Sequence, residues 1–404
     1  MSMRYIGGVL SATPPTVTGG EGGSASGIWS LETQSQYAGA SGWPLPTVSR
    51  AMFSWGYNYR GQLGLGDTTN RSSPVQIGAL TTWTTTSSGS DASFGIKTDG
   101  TLWAWGRGNQ GQLGQGNSNS YSSPVQVGAL TTWSKVSSGL IHCLAIKTDG
   151  TLWGWGYNAH GQIGDGSTTG RESPVQIGSD TNWQNISGGY FSTFAVKTDG
   201  TLWAWGKGTY GLLGQGNTTS YSSPVQVGGL TNWLFATSDY QATSAIKTDG
   251  TMWGWGDGYT GSTGLNSATD YSSPVQVGAL TNWLKLAGGY NTRQAIKTDG
   301  TLWGWGLNTT GQLGTSTTTS YSSPVQIGSE TYWSGLTVGN NFGGASDTSG
   351  RLWMWGVNNF GQLGVGNTTN YSSPVQVGSQ VYWAVLPSSQ SNAYNNTIVT
   401  NGST

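Results

Sequence analysis

The stretch Leu302-Trp303-Gly304-Trp305-Gly306-Leu307-Asn308-Thr309-Thr310-Gly311-Gln312-Leu313-Gly314 decides the fold, because its Trp-Gly pair returns every 50 residues. The pair stands at Trp55-Gly56, Trp105-Gly106, Trp155-Gly156, Trp205-Gly206, Trp255-Gly256, Trp305-Gly306 and Trp355-Gly356, without an insertion or deletion. A period in this range marks a supersecondary unit that buries its core only against its neighbours. Seven β-sheet units close comfortably into a propeller ring. The expected fold class is all-β: a seven-bladed β-propeller of 50-residue repeats, preceded by an irregular N-terminal arm.

Composition points the same way. Among 404 residues, 68 are Gly, 22 are Trp and only 8% are charged, so turns and large aromatics dominate and helix formers are scarce. A net charge of −1 and the lack of a basic run exclude the electrostatic footprint of nucleic-acid binding. No stretch is long enough to span a membrane as a helix, so no membrane insertion is expected. The start, Met1-Ser2-Met3-Arg4-Tyr5-Ile6-Gly7-Gly8, lacks the apolar run of a signal peptide. Cys143 is the only cysteine, which excludes an intrachain disulfide and a cysteine-built metal site.

One repeat reads as four strands. Trp133 to Ser137 alternates large and small residues; after Gly139, Leu144 to Lys147 forms the second strand. Thr148-Asp149-Gly150 is a hairpin signal leading to Leu152 to Trp155. A long loop through Gly161-Gln162-Ile163-Gly164 reaches a short fourth strand, Pro174 to Ile177, whose proline suits an outer edge. The three Trp residues per unit, as at Trp133, Trp153 and Trp155, read as filler between stacked sheets, each contributing roughly 1.5–3 kcal/mol from buried area. The seventh blade is expected to be shared between the ends of the array. Residues 383–386 and 397–400 supply two strands, and 51–56 and 74–77 the other two, with Phe53 in place of the usual Trp.

The pattern Trp-x-Trp-Gly-x-Asn-x-x-Gly-Gln-Leu-Gly, in Trp303 to Gly314 and Trp353 to Gly364, resembles the regulator of chromosome condensation repeat. So do the hairpins Asp99-Gly100, Asp149-Gly150, Asp199-Gly200, Asp249-Gly250 and Asp299-Gly300. The resemblance covers residues 51–400 and implies a seven-bladed propeller. It leaves function open, because such propellers include an exchange factor, a light sensor and an enzyme inhibitor. Only His142 keeps the family's usual turn histidine; Ala92, Ser192, Ala242, Thr292 and Phe342 replace it. No insertion could form an exchange factor's wedge, and no basic tail points to chromatin.

Residues 1–45 differ in kind. They are rich in Gly, Ser, Thr and Pro, with Ala12-Thr13-Pro14-Pro15-Thr16 and then Ser26-Gly27-Ile28-Trp29-Ser30-Leu31 and Gly42-Trp43-Pro44. This segment resembles one found in structural and appendage proteins of tailed bacteriophages. The resemblance implies an attachment arm, with Ile28, Trp29, Leu31 and Trp43 as its anchors and residues 46–404 as the displayed propeller.

No catalytic constellation emerges. Gly106-x-Gly108-x-x-Gly111, and its counterparts from Gly206 and Gly256, match the dinucleotide pattern in letters, but that chemistry needs a helix N-terminus. Here Ser/Thr-rich loops follow. His142 and Cys143 are adjacent in a strand and point to opposite faces. The chain is therefore expected to be no enzyme and to carry no cofactor and no metal.

The internal variation lies on one face of the ring. Its central turns offer Asp91, Ile141, Tyr190, Phe191, Tyr240, Gln241, Tyr290, Asn291, Arg293, Asn340 and Asn341. Its longer loops offer Tyr57, Tyr59, Arg60, Arg107, Tyr157, His160, Lys207, Tyr210 and Tyr259. Tyr with Asn, Gln and Arg makes a plausible recognition surface. The expectation is a homo-oligomeric phage virion protein, joined to other virion proteins by its arm, that displays this face to a host-surface protein or glycan. The alternative is a soluble propeller that clamps one protein as inhibitor or regulator.

Overall fold

The computed structural model describes residues 50–79, 82–380, 383–385 and 395–400. The arm anchors Ile28, Trp29, Leu31 and Trp43 lie outside the described residues. Residues from Arg50 onward form one compact unit of seven four-stranded antiparallel sheets. Six are continuous in sequence and are numbered here as blades 1 (83–126), 2 (133–176), 3 (183–226), 4 (233–276), 5 (283–326) and 6 (333–376). Blade 7 is assembled from Trp383–Val385, Asn395–Thr400, Met52–Gly56 and Arg71–Gln76, in that order across the sheet.

Blade 2 shows the unit. Its strands Trp133–Ser138, His142–Lys147, Leu152–Gly156 and Arg171–Gln176 pair in sequence order. First strands of neighbouring blades bond to each other, Ser138 N–H to Ser87 Oγ at 2.9 Å and Gly188 N–H to Ser137 Oγ at 3.0 Å, so they line the axis. The fourth strand, largely solvent-facing, forms the rim. It starts three residues before the proline that was expected to open it. Pro174 sits where the register slips between the pairs Arg171–Gly156 and Val175–Gly154. A missing N–H costs nothing at such a bulge, and no strand lies on its outer side.

The hairpin at the foot of the blade is self-braced. The Asp149 carboxylate accepts from Thr151 N–H and Oγ1–H, and Thr151 Oγ1 accepts the Trp153 indole N–H at 2.9 Å. Lys147 lays its ammonium 3.5 Å from the Trp153 ring centroid. Blade 6 makes the change as a pair: Asp347 stands at the Lys position and Arg351 at the Thr position, joined at 2.6 Å.

Blades are joined by the last tryptophan of the third strand. The Trp155 side chain is fully buried and packs with Phe94, Leu113 and Val127 of the preceding blade. Its indole N–H donates to the Gln112 carbonyl at 2.9 Å. The same bond joins Trp105 to Gln62, Trp205 to Gln162, Trp255 to Leu212, Trp305 to Ser262 and Trp355 to Gln312, at 2.8–3.1 Å. Trp55 donates to Gln362 at 3.0 Å and closes the circle. The loop glycine that receives each ring has no room for a side chain. Gly114 has φ +69°, and a Cβ there would lie 2.9 Å from Trp155 Nε1.

The seam is a strand pairing, with Met52 opposite Val399 through Gly56 opposite Asn395. Phe53 and Trp55 both meet Trp383 edge-to-face, at 5.6 and 5.7 Å, so the smaller Phe53 ring still packs against the blade's first Trp.

A differential test follows. The Gln162 carbonyl also accepts the Thr193 hydroxyl at 2.8 Å, whereas among the described residues the Gln112 carbonyl has Trp155 as its side-chain donor. Both Trp155→Phe and Trp205→Phe should lower stability. Trp155→Phe should cost about 1–2 kcal/mol more, because it orphans a buried acceptor. Chemical denaturation of the two variants measures this, and equal losses would refute the assignment.

Candidate functional site

The chain leaves one end of the ring through the turns between first and second strands and through the long loops after third strands. Those loops hold their shape without regular structure. In blade 5, Asn308 Oδ1 accepts from Leu313 N–H, its Nδ2 donates to Thr319 O, and Gln312 Oε1 accepts from Thr310 N–H, each at 2.9 Å. Gly106, Gly111, Gly206, Gly211, Gly256 and Gly261 of the dinucleotide-like matches are turn glycines with positive φ. Among the described residues the one helical segment is the three-residue turn Thr209–Gly211, inside the second of these matches.

On this scaffold the variable residues of blades 2 to 5 meet. Tyr190 packs edge-to-face on Phe191 at 4.6 Å and on Tyr240 at 4.7 Å, and Tyr240 reaches Tyr290 at 5.8 Å. Phe191 continues the strip outward to His160 at 5.0 Å and Tyr157 at 6.0 Å. All six rings are half-buried. Lys207 stands over the strip, its Nζ 5.7 Å from both the Phe191 and Tyr240 centroids. Tyr210 and Tyr259 are exposed on the loops of blades 3 and 4, Tyr259 to 85%.

A second aromatic knot bridges blades 6 and 7. Tyr57 stacks on Tyr59 at 6.4 Å and touches Phe360 at 4.8 Å, with Arg60 5.3 Å from the Tyr59 ring. Burial pushes the Tyr57 phenol up, helped by the nearby Asp91 charge. Phe360 was absent from the sequence-derived face. Its position was the signal, since its equivalents are Arg60, Gln110, His160, Tyr210, Thr260 and Thr310.

Other predicted face residues serve the ring. Arg293 was placed on the surface, but it is completely buried on the second strand of blade 5. Its guanidinium donates to Asp239 Oδ2 and to Ala242 O, both at 2.7 Å, and so ties blade 5 to blade 4. A carboxylate at a position that is glycine in neighbouring turns makes a buried charge affordable there. Asn291 is 5% exposed and gives its N–H to the same Asp239 oxygen at 2.8 Å. Asn340 is buried and accepts from Asn341 Nδ2 at 2.9 Å. Asp91 is ion-paired to Arg107 at 3.2 Å. Ile141 and Gln241 remain half-buried at the turns.

The histidines have local duties. His142 is fully buried with Nε2 3.1 Å from Thr193 Oγ1, and burial pushes its imidazole down to about 3. Burial raises the neighbouring Cys143 thiol. Burial, then the Lys207 charge, lowers His160. Asp257 is raised by burial and by the charges of Asp270 and Asp239. Among the described residues no three His, Cys, Asp or Glu side chains gather as a metal site. No helix among them is long and apolar enough to cross a membrane. The opposite face carries a feature unnoticed in sequence: Leu230 and Leu280, in the turns before blades 4 and 5, and Leu234 and Leu284, on their first strands, are 43–48% exposed.

Two stability tests follow. Asp239→Ala should cost about 3–5 kcal/mol by stranding Arg293. The double change Asp239→Gly with Arg293→Thr restores the Gly189 and Thr243 types of the preceding interface and should recover most of that loss; thermal and urea melts would show it. His142 gives a pH signature. The unfolded chain takes up a proton below its ordinary value of 6.5, which the folded ring refuses down to about 3. Its contribution is therefore intact above 6.5 and is lost as pH falls toward 3, at most about 1.4 kcal/mol per pH unit. His142→Asn should lose less stability than the native chain between pH 7 and 4.5; parallel losses would clear His142.

Comparison with known proteins places this geometry. The RCC1-like domain matches residues 45–293, and the regulator of chromosome condensation (RCC1) repeat matches residues 299–345 and 349–384. Human WBSCR16 is similar in structure, with a TM-score of 0.77 at 18% identity, covering 87% of this chain and 99% of that one. Yeast RCC1 (Prp20), in its crystal structure with Kap60, gives a TM-score of 0.77 at 15% identity over 89% of this chain and 90% of that one. Prp20p from Saccharomyces cerevisiae alone gives the same TM-score and identity over 89% and 93%. No curated protein sequence matches the chain. A ring of seven 50-residue blades, matched over most of its length by the RCC1-like domain, makes this chain a member of the RCC1-like domain family.

Proposed function

We propose that the chain is a non-enzymatic binding propeller that holds a single protein partner on its variable face, as an inhibitor or regulator does. One observation carries the reading: the strip Tyr157, His160, Phe191, Tyr190, Tyr240 and Tyr290 runs unbroken across four blades. These side chains come from turns that differ from copy to copy, while the hairpins at the other end barely change. Aromatic anchors of this kind bring large contact area at low entropy cost, and Tyr adds a polar tip. Asn341, Gln241 and the Asp91–Arg107 pair supply a polar surround.

Ring geometry favours protein over glycan. Sugars stack on open aromatic faces, but here edges cover faces, with interplanar angles of 83° for Tyr190–Phe191 and 77° for Tyr190–Tyr240. Such a knot suits interdigitating side chains. Partner binding also agrees with the relatives of this fold: yeast RCC1 has been solved bound to Kap60, and Prp20p has been studied for binding Gsp1p and histones. Those partners are theirs; the mode of use is what carries over.

A second reading, display of the propeller on a virus particle as a homo-oligomer facing a host surface, rests on the resemblance of residues 1–45. The comparisons lend it no support.

The test is affinity capture from the native source with the full chain and with Tyr190→Ser/Tyr240→Ser. The double variant should keep its melting temperature within a few degrees and lose its partner by about tenfold or more. Undiminished capture would sink the face assignment. Deleting residues 1–45 should leave capture intact; loss of particle association in that deletion would favour the second reading.

A further inference from the structure

We infer that the partner segment seated on the strip of Phe191, Tyr190 and Tyr240 is acidic, with an Asp or Glu carboxylate meeting Lys207; this rests on the binding role proposed above. The other arginines around the face are mostly neutralised within the chain: Arg71 by Asp67, Arg107 by Asp91 and Arg171 by Asp165. Lys207 has no carboxylate partner among the described residues. It is held instead over two rings from adjacent blades, 5.7 Å from each. His160 beside it is no counter-ion, since an imidazole is neutral or cationic, and burial followed by the Lys207 charge pushes its titration down. The second aromatic knot repeats the device with Arg60 over Tyr59, again without a carboxylate among the described residues.

The remaining acids of this side already hold donors of their own chain. Asp257 accepts from Tyr259 N–H at 2.7 Å, Asp270 from Gly258 N–H at 3.1 Å and Glu172 from Ser118 Oγ at 2.6 Å. Lys207 is half-buried and pre-placed beside two rings, so an arriving carboxylate completes an ion pair in a drier setting than open surface. A basic segment would meet repulsion at the same spot.

The experiment uses the full chain and two soluble probes, random copolymers of Glu with Tyr and of Lys with Tyr, measured by biolayer interferometry at low and moderate salt. The Glu–Tyr copolymer should bind about tenfold more tightly than the Lys–Tyr one, with affinity falling as salt rises. Lys207→Gln should weaken it about fivefold, and Lys207→Arg should retain it. Absent binding, no preference between the copolymers, or an unchanged Lys207→Gln would overturn the inference. Tyr190→Ser/Tyr240→Ser separates the two readings. If that variant loses the native partner while Lys207→Gln keeps it, the face stands and the acidic segment falls. If Lys207→Gln loses the copolymer while the tyrosine variant does not, Lys207 acts apart from the aromatic strip and the inference is overturned.

Discussion

Seven indole N–H groups, each reaching a loop carbonyl of the blade before it, are the bonds on which the ring depends. Each sits at the centre of a dry interface, where an unmet carbonyl costs far more than an exposed one. The bond also fixes spacing. A tryptophan can meet the carbonyl 43 residues earlier only if the loop between them keeps its glycines and its length; the Asn and Gln braces are dispensable, since Gly208 and Leu212, and Gly258 and Ser262, replace them before Trp255 and Trp305. The strict period of the sequence is the outward sign of that geometric condition. Where the carbonyl has a second donor, from Ser93, Thr193, Thr243 or Asn396, the joint is doubly tied.

Much of this was legible beforehand because it repeats. Seven Trp-Gly pairs announce seven blades, and half a unit at each end of the array announces a shared seventh. The pairing of Met52–Gly56 with Asn395–Thr400 bears that out. What escaped the sequence depends on single-copy events. The fourth strand runs back to Arg171 because a bulge absorbs Pro174, which spacing does not reveal. Arg293 looked like a surface cation in a variable turn. Its burial follows from Asp239, 54 residues away, occupying a site that is glycine elsewhere. Tyr190, Tyr240 and Tyr290 could be seen to share a face from their period, whereas the contacts among their rings, and Phe360 beside Tyr57, needed coordinates.

The two ends of the ring answer to different demands. At the hairpin end, Asp, Thr, Lys and Trp satisfy one another inside each blade, so a change there disturbs several bonds at once; blade 6 shows that it succeeds when Asp347 and Arg351 change together. At the other end, the paired turn positions 140/141, 190/191 and 240/241 leave their side chains half-buried, while Asn291 and Asn340 are drawn into the ring. The half-buried copies vary among Leu, Ile, Tyr, Phe and Gln. Diversity concentrates where stability is indifferent to it, and a recognition surface can form there without weakening the ring.

The uniform 50-residue register also has a genetic side. Because every joint uses the same tryptophan, carbonyl and glycine, an in-frame exchange between complete blades swaps a turn and a loop while keeping that indole bond, provided that blades 4 and 5, tied by Arg293 and Asp239, move together. The face is thereby divisible into cassettes. Recombination among near-identical repeats reshuffles Tyr, Phe, Lys and Asn around the rim in single steps, whereas the split seventh blade, with its unlike halves, cannot be exchanged as one segment.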